Sequence, residues 1–200
     1  MNDKNYPTIS QLEQELAHEK YRRSYVRALR STFYSLITIA AVAVLVAVLI
    51  LPVMQIYGSS MTPTLSEGDI VVSVKGASFK TGDVIGFYYN NHILVKRVIA
   101  NPGDWVDIAE DGTVSINGDV LEEPYVSDLA LGECDISLPY QVPEGRVFVM
   151  GDHRSVSVDS RSTTIGCVAE EQVVGKIVFR VWPISSFGPI NNQQADIAEF

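Results

Sequence analysis

The run LITIAAVAVLVAVLILPV, residues 36–53, decides the fold class of this 200-residue chain. Its only clearly polar side chain is Thr38, and no charged residue stands between Arg30 and Glu67. A helix of this length, at about 1.5 Å per residue, spans roughly 27 Å, which is close to the hydrocarbon thickness of a bilayer. The run therefore predicts a single transmembrane helix, which we place at residues 33–54.

Two alternative interpretations of the apolar run are a buried core helix and a cleaved secretory leader. A helix buried on all sides needs a larger domain than the rest of this chain can form. A leader has a shorter apolar segment near the start of a chain, whereas a polar segment precedes this run, although the run does contain Ala41-Val42-Ala43. We therefore expect the helix to remain in the mature protein.

The charges on either side of the run predict its orientation. Five basic residues without an acid among them precede it: Lys20, Arg22, Arg23, Arg27 and Arg30. The first charges after it are Glu67 and Asp69. Because positive residues stay on the cytoplasmic side, we expect a cytoplasmic N-terminus and an extracytoplasmic domain on the cell membrane. The residues after 55 hold nine Lys and Arg against twenty Asp and Glu, a balance that disfavours nucleic acid as a partner.

The chain divides into four predicted segments. Residues 1–32 form a cytoplasmic segment, disordered up to residue 9, with an amphipathic helix that starts at the capping-box pattern Ser10-Gln11-Leu12-Glu13. The transmembrane helix follows. Residues 55–190 form a β-rich domain, and the polar residues 191–200 form a flexible tail.

Short β-type runs punctuated by Gly-Asp pairs follow the apolar segment. Such pairs stand at residues 68–69, 82–83, 103–104 and 118–119, where turns would lead into strands. Asn117-Gly118 after TVSI predicts a hairpin with a primed turn, and residues 173–181 predict a late strand. No helical periodicity of ten or more residues follows residue 60. We expect a mainly β fold, in which one N-terminal transmembrane helix precedes an antiparallel β-barrel or sandwich.

Two segments place a hydroxyl and an amine in settings suited to chemistry. In GSSMTPTL, residues 58–65, Gly and Pro can hold a serine exposed beside backbone N–H groups, although most such serines are turn residues. In the predicted strand HILVKRVI, residues 92–99, Leu94, Lys96 and Val98 share one face. Burial lowers the pKa of a lysine, so that its neutral amine can accept a proton from a serine. The alternative is that Lys96 reaches solvent from a strand edge.

A third segment, GDHRSVSVDSR at residues 151–161, alternates acids, hydroxyls and arginines. This pattern predicts a rigid, hydrogen-bonded loop, with a solvated surface turn as the alternative. Four segments in this order, SMTPTL, GDIVV, KRVIANPGD and GDHRSVSVDSR, which begin at residues 60, 68, 96 and 151, resemble the sequence boxes of the bacterial type I signal peptidases. The resemblance extends from the apolar run to about Pro183.

The resemblance implies a serine endopeptidase with a serine–lysine dyad and no metal or cofactor. Ser60 matches the nucleophile and Lys96 the general base, and the oxyanion donors would be the Ser60 N–H and the backbone at Gly58. Ser157 matches the hydroxyl that orients the lysine amine. Asp159 and Arg161 match an ion pair behind the site. The chain departs from the pattern at Gly58, where some members have a serine, and at two positions where many have asparagine: His153 and Val156.

The implied substrates are signal peptides of secreted pre-proteins, cut after small residues at the first and third positions before the bond. The first pocket would be formed by Ile56, Met61, Leu65, Leu94 and Val95. The other would be formed by Met54, Val71 and Val95. The substrate would add as an extended strand beside residues 54–58 and 92–96, close to membrane lipid.

Other sites and functions remain open alternatives. Cys134 and Cys167 could form a disulfide or stay as buried thiols. A zinc site is disfavoured, because the histidines are scattered and the chain has no HExxH pattern. A repressor-type, self-cleaving serine–lysine protease, an inactive membrane-tethered β domain and a specialised processing enzyme are the rival functions. A histidine base, His92 or His153, is disfavoured because Lys96 is present.

Overall fold

The computed structural model describes residues 8–190, without the side chains of Gln11 and Ala17. The predicted tail, residues 191–200, lies outside the described residues. The first element, α1, is a continuous helix, Ile9–Ile50. The backbone nitrogen of Leu12 donates to the carbonyl oxygen of Thr8 at 3.1 Å, so the helix begins before Ser10. The predicted start at the capping box is therefore wrong, because Thr8 takes the position before the first helical residue.

The C-terminal half of α1 is apolar. The segment Leu12–Ile50 contains a window of mean hydropathy 2.7, and among residues 8–190 it is the one helix long and apolar enough to cross a membrane. α1 ends at Ile50, so residues 51–54 of the predicted span, residues 33–54, are not helical. Pro52 has no N–H and disfavours the helical conformation at the residue before it. Residues 53 and 54 belong to the first strand instead.

The described chain from Ile50 onward consists mainly of β-strands and turns. In chain order the strands are β1 (Val53–Gln55), β2 (Ile70–Val74), β3 (Val84–Tyr89), β4 (His92–Ala100), β5 (Trp105–Ile108), β6 (Val114–Ile116), β7 (Asp119–Val120), β8 (Tyr140–Gln141), β9 (Arg146–Met150), β10 (Val168–Ala169), β11 (Val173–Trp182) and β12 (Gly188–Pro189). Two short 3₁₀ helices, Glu170–Gln172 and Ile184–Ser186, are the only helices after α1 in the described part.

The strands form two antiparallel sheets. The larger has the order β1-β2-β11-β3-β4-β9-β10, with β12 paired to β11, and the smaller has the order β7-β6-β5-β8. The path of the larger sheet is open, with β1 and β10 at its ends, so the sandwich alternative fits and a closed barrel does not. The predicted mainly β, antiparallel fold is confirmed.

The predicted turns have the backbone geometry that their residues favour. All four Gly-Asp pairs stand immediately before or at the start of a strand, and their glycines have positive φ. Between β6 and β7, Ile116 pairs with Asp119, and the two loop residues Asn117 and Gly118 have φ of 54° and 96°. Two consecutive positive φ values define a type I′ hairpin turn, as predicted.

Buried apolar clusters hold the sheets together. In one cluster Ile99 and Phe148 from the larger sheet meet Val106 and Ile116 from the smaller sheet, which is the packing of a sandwich. A second cluster joins the segment after β1 to β2 and β3. Its buried members are Ile56, Met61, Leu65, Val71, Val84, Ile177 and Ile190. This second cluster fixes the position of the segment that contains Ser60.

Candidate active site

A tight turn after β1 presents the side chain of Ser60. Thr62 donates twice to the carbonyl oxygen of Ser59, from its backbone nitrogen at 3.1 Å and from its hydroxyl at 2.8 Å. The carbonyl oxygen of Ser60 accepts the backbone N–H of His153 at 3.1 Å. The backbone on both sides of Ser60 is therefore fixed, while its side chain remains partly exposed.

Lys96 projects from β4 toward this turn. Its amine nitrogen Nζ lies 2.7 Å from Ser60 Oγ, within hydrogen-bonding distance. Lys96 is only 4% exposed, so the alternative that it reaches solvent is wrong. Its neighbours two positions away on β4, Leu94 and Val98, pack in one apolar cluster, and β4 is buried throughout from Lys96 to Ala100.

Burial changes the protonation of Lys96. Desolvation lowers the pKa of its amine from 10.5 to about 8, although the negative charge of Asp159 acts in the opposite direction. A strongly shifted pKa in a partly open site is typical of functional groups. The amine can therefore accept a proton at mildly alkaline pH.

The loop of residues 151–161 packs against the Ser60 turn and is mostly buried, with only Ser155, Val156 and Val158 exposed, so the solvated-turn alternative is wrong. Asp159 and Arg161 form the ion pair that the resemblance implies, with Arg161 Nε 2.8 Å from Asp159 Oδ1 and both side chains fully buried. Burial alone would raise the pKa of Asp159, but the hydrogen bonds and charge of Arg161 outweigh it and hold this pKa below its ordinary value. Asp159 therefore remains ionised beside the lysine.

Ser157 has a different partner from the one that its predicted role requires. Its hydroxyl donates to Asp159 Oδ2 at 2.7 Å. Between residues 8 and 190 we find no hydrogen bond from Ser157 to Lys96. Ser157 nevertheless lies close to the nucleophile turn, since a Cβ added at Gly151 would stand 2.3 Å from Ser157 Oγ and 2.5 Å from the Ser60 carbonyl oxygen. The glycine at 151 allows this close approach.

A buried pair that the sequence did not predict joins the three segments. Arg97 donates to both carboxylate oxygens of Asp152, from Nε to Oδ1 at 2.9 Å and from Nη2 to Oδ2 at 2.7 Å. Its Nη2 also donates to Thr64 Oγ1 at 3.1 Å. Its guanidinium carbon also lies 3.8 Å from the centre of the Tyr125 ring. Arg97 therefore connects the lysine strand to the segment after Ser60 and to the start of the 151–161 loop.

A second unpredicted pair connects the same loop to the segment that follows β7. Arg154 donates to both carboxylate oxygens of Glu123, one of them at 2.8 Å, and to the carbonyl oxygen of Gly151 at 3.1 Å. The Tyr125 hydroxyl also donates to Glu123, at 2.8 Å. Neither pair could be predicted from local sequence, because the partners are far apart along the chain. The one indication in the sequence was the excess of arginines and acidic residues in residues 151–161.

Ser60 and Lys96 both line a groove of about 590 Å³. The groove is lined by Met54, Gln55, Ile56, Tyr57, Gly58, Ser60, Met61 and residues 91–96. Five predicted pocket residues are among them: Met54, Ile56, Met61, Leu94 and Val95. Leu65 and Val71 are not, because both are 0% exposed and pack in the apolar cluster beneath the groove. That these two residues contribute to a substrate pocket stays a prediction.

The structure also shows where the remaining candidate residues lie. Gly58 lines the groove with φ of 79°, a conformation that glycine adopts without strain. His153 Nδ1 is hydrogen-bonded to Thr62 Oγ1 at 3.1 Å, and His92 lines the far part of the groove. Cys134 and Cys167 have free thiols. In the described part of the chain, no group of three or more His, Cys, Asp or Glu side chains is placed to hold a metal ion.

A β-sandwich that places a turn serine against a buried lysine amine has the side-chain pair of a serine peptidase. Residues 29–182 match the family model described as signal peptidase, peptidase S26. Since the match covers more than half of the chain, the protein belongs to this family, as its resemblance to type I signal peptidases predicted. It is a serine peptidase, and hence a hydrolase.

Individual relatives agree with this assignment. Signal peptidase IB of Staphylococcus aureus strain COL is 39% identical over 152 residues, which cover 66% of this chain and 78% of that protein. Thylakoidal processing peptidase 1, chloroplastic, of Arabidopsis thaliana is 36% identical over 148 residues, covering 66% and 42% of the two chains. A signal peptidase I from Enterococcus faecalis V583, whose crystal structure is known, is 32% identical in sequence. The structural match covers 50% of this chain and 97% of the Enterococcus chain, with a TM-score of 0.41.

Proposed function

We propose that this protein is a membrane-anchored endopeptidase that removes N-terminal signal peptides from exported proteins through a Ser60–Lys96 dyad. The distance of 2.7 Å between Lys96 Nζ and Ser60 Oγ, which both line a largely apolar groove, is the observation that supports it most. Family membership supports the substrate class. The apolar helix supports the anchor, and its basic flank favours a cytoplasmic N-terminus and an extracytoplasmic peptidase domain.

The dyad accounts for both halves of an acyl-enzyme reaction. Neutral Lys96 takes the proton of Ser60 as Oγ bonds to the scissile carbonyl carbon, and the Ser60 N–H and the backbone at Gly58 donate to the oxyanion. The lysine then gives this proton to the leaving amine as the peptide bond breaks. In the second half Lys96 takes a proton from water as the water oxygen bonds to the ester carbonyl carbon, and it returns this proton to Ser60 Oγ as the bond between Oγ and the acyl carbon breaks.

The sheet has free edges where an extended substrate could add. β1 pairs only with β2, and within the described residues no strand pairs with its other edge. β4 pairs with β3 from His92 to Arg97, but β9 joins its other edge only from Arg97 onward. An extended substrate segment between residues 54–58 and 92–96 would pair with the free edge of each of these two segments. Apolar side chains along the groove favour small residues at the first and third positions before the bond.

The rate of precursor cleavage is expected to rise with pH. The base must be neutral, and a pKa of about 8 leaves Lys96 mostly charged at pH 7 and mostly neutral at pH 9. We expect kcat/KM for a precursor with an Ala-x-Ala site to increase about tenfold per pH unit below 8 and to level off above it.

Measuring kcat/KM between pH 5 and pH 10 in detergent tests the proposal. An inflection near about 6.5 would indicate a histidine base and contradict the dyad. Cleavage of the protein's own chain with no cleavage of exported precursors would instead favour the self-cleaving protease.

A further inference from the structure

His153 is one of the positions at which this chain departs from the type I signal peptidase pattern. The proposed mechanism gives it no task, because Lys96 is the base. The side chain is only partly exposed, and it lies in the loop that packs against the Ser60 turn. Its hydrogen bonds, first from the backbone and then from the imidazole, indicate what it does.

The backbone of His153 lies between the nucleophile and Ser157. Its N–H donates to the carbonyl oxygen of Ser60 at 3.1 Å, and its own carbonyl oxygen accepts the N–H of Ser157 at 3.1 Å. Every residue except proline can make both bonds, so they do not depend on the imidazole. They fix the point beside the nucleophile turn from which the side chain at position 153 starts.

The imidazole contacts a hydroxyl that already closes this turn. Thr62 Oγ1 donates to the carbonyl oxygen of Ser59 at 2.8 Å, and it lies 3.1 Å from His153 Nδ1. A hydroxyl has one hydrogen and two lone pairs, so Thr62 can only accept from the imidazole once it donates to Ser59. The imidazole hydrogen therefore lies on Nδ1, and the ring is a donor toward Thr62 whether it is neutral or charged.

The hydroxyl of Thr62 controls the direction of an N–H group that the reaction uses. The carbonyl of Ser59 and the N–H of Ser60 belong to one planar peptide group, so a hydrogen bond that holds the carbonyl also orients the N–H. The mechanism assigns this Ser60 N–H to the oxyanion. Such a donor stabilises the transition state only if it is aimed at the oxyanion in advance. The imidazole thus acts on the oxyanion donor through Thr62 and Ser59.

We propose, on the basis of the function proposed above, that His153 is a positioning residue for the oxyanion site. Its Nδ1–H fixes the hydroxyl of Thr62, and this hydroxyl holds the peptide group that carries the Ser60 N–H. His153 takes no proton from Ser60. Asparagine at position 153 would keep the donor, because its amide nitrogen, like Nδ1 of histidine, is bonded to Cγ and carries hydrogen.

Leucine and asparagine at position 153 form a matched pair of variants. Both side chains branch at Cγ, but only asparagine carries a donor there. The kcat and KM of each variant are measured on an Ala-x-Ala precursor in detergent. We expect His153→Leu to lower kcat by about 10–100-fold with KM within about threefold of the parent, because a misdirected Ser60 N–H weakens transition-state binding and not substrate binding. We expect His153→Asn to keep kcat within about threefold of the parent.

Variants of Thr62 test the connection itself. Thr62→Val removes the hydroxyl at nearly the same shape, whereas Thr62→Ser retains it. We expect Thr62→Val to lower kcat at least as much as His153→Leu does, and Thr62→Ser to stay within about threefold of the parent. Adding His153→Leu to Thr62→Val should cause no further loss, because two residues in one hydrogen-bonded chain are not additive.

Two controls separate positioning from folding. Circular dichroism checks that each variant is folded, and His153→Ala replaces His153→Leu if the leucine variant is not. His18→Leu is the matched control, since His18 is exposed on α1, and it should change neither kcat nor KM.

The assignment has three results that would overturn it. The first is a folded His153→Leu, or His153→Ala where it decides, with the kcat of the parent. The second is an asparagine variant that loses as much activity as the leucine variant, which would show that the imidazole itself is needed. The third is full additivity with Thr62→Val. A parent enzyme that cuts no exported precursor would instead refute the proposed function itself.

Discussion

Replacing Lys96 with methionine is expected to abolish precursor cleavage and, at the same time, to stabilise the folded protein. Loss of the base should lower kcat/KM by at least about 10³-fold. The gain in stability follows from the pKa, which burial lowers from 10.5 to about 8. The unfolded chain binds this proton more tightly than the folded one, so a penalty of roughly 3 kcal/mol is fully present below pH 8 and disappears as the pH rises through 10.5. Methionine fills similar space without a charge to desolvate.

Initial rates on an Ala-x-Ala precursor and urea unfolding at pH 7 measure both effects. Lys75→Met is the matched control, because Lys75 is exposed at the end of β2 and should change neither quantity. A Lys96→Met variant that keeps most of its cleavage rate would contradict the dyad and direct attention to His92 and His153. A variant that loses stability would contradict the lowered pKa.

Replacing Asp159 with asparagine is expected to destabilise the fold by about 3–5 kcal/mol, because it leaves the charge of Arg161 buried without its partner. Asp159 accepts hydrogen bonds from Arg161 Nε and NH2, each at 2.8 Å, from the Gly151 N–H at 2.9 Å and from Ser157 Oγ at 2.7 Å. An amide offers one acceptor oxygen in place of two, and its NH2 group would face other donors. Thermal or urea unfolding at neutral pH measures the loss.

The same variant has a second expected effect, on the pH dependence. The charge of Asp159 raises the pKa of Lys96, so its removal should move the rising limb of kcat/KM to a pH below 8 in whatever fraction remains folded. Glu110→Gln, at an exposed carboxylate, is the control and should stay within about 0.5 kcal/mol of the parent. An Asp159→Asn variant as stable as the parent would show that the ion pair does not hold the loop.

Local patterns were sufficient to predict most strands, but not the burial of Lys96, because β4 is buried on both faces from Lys96 to Ala100. β2, Ile70–Val74, alternates between buried and half-buried residues, as expected of a strand with two different faces. The hairpin at Asn117-Gly118 was equally predictable, since few residue pairs adopt two positive φ values without strain. These features depend on neighbours in sequence, which a single chain displays directly.

Features that depend on distant partners were not predictable in the same way. Arg97 and Asp152 stand 55 positions apart, and no local pattern indicates that they meet. Val71 is an apolar residue on an alternating strand. The alternation predicts that its side chain points inward, but it does not indicate whether that side chain lines a groove or fills a core. The resemblance placed Ser157 beside the lysine, yet its hydroxyl donates to Asp159, the stronger acceptor that shares its loop.

We propose that Ser60 attacks the bond after an Ala-x-Ala site, with Lys96 as its base. The most direct test of this mechanism is cleavage of one exported precursor by the purified protein in detergent, with the product termini mapped by mass spectrometry for the parent and for Ser60→Ala. We expect a single cut after the second alanine by the parent and none above background by the variant. Cleavage by Ser60→Ala at the same bond, or no cleavage of several such precursors by the parent, would contradict it.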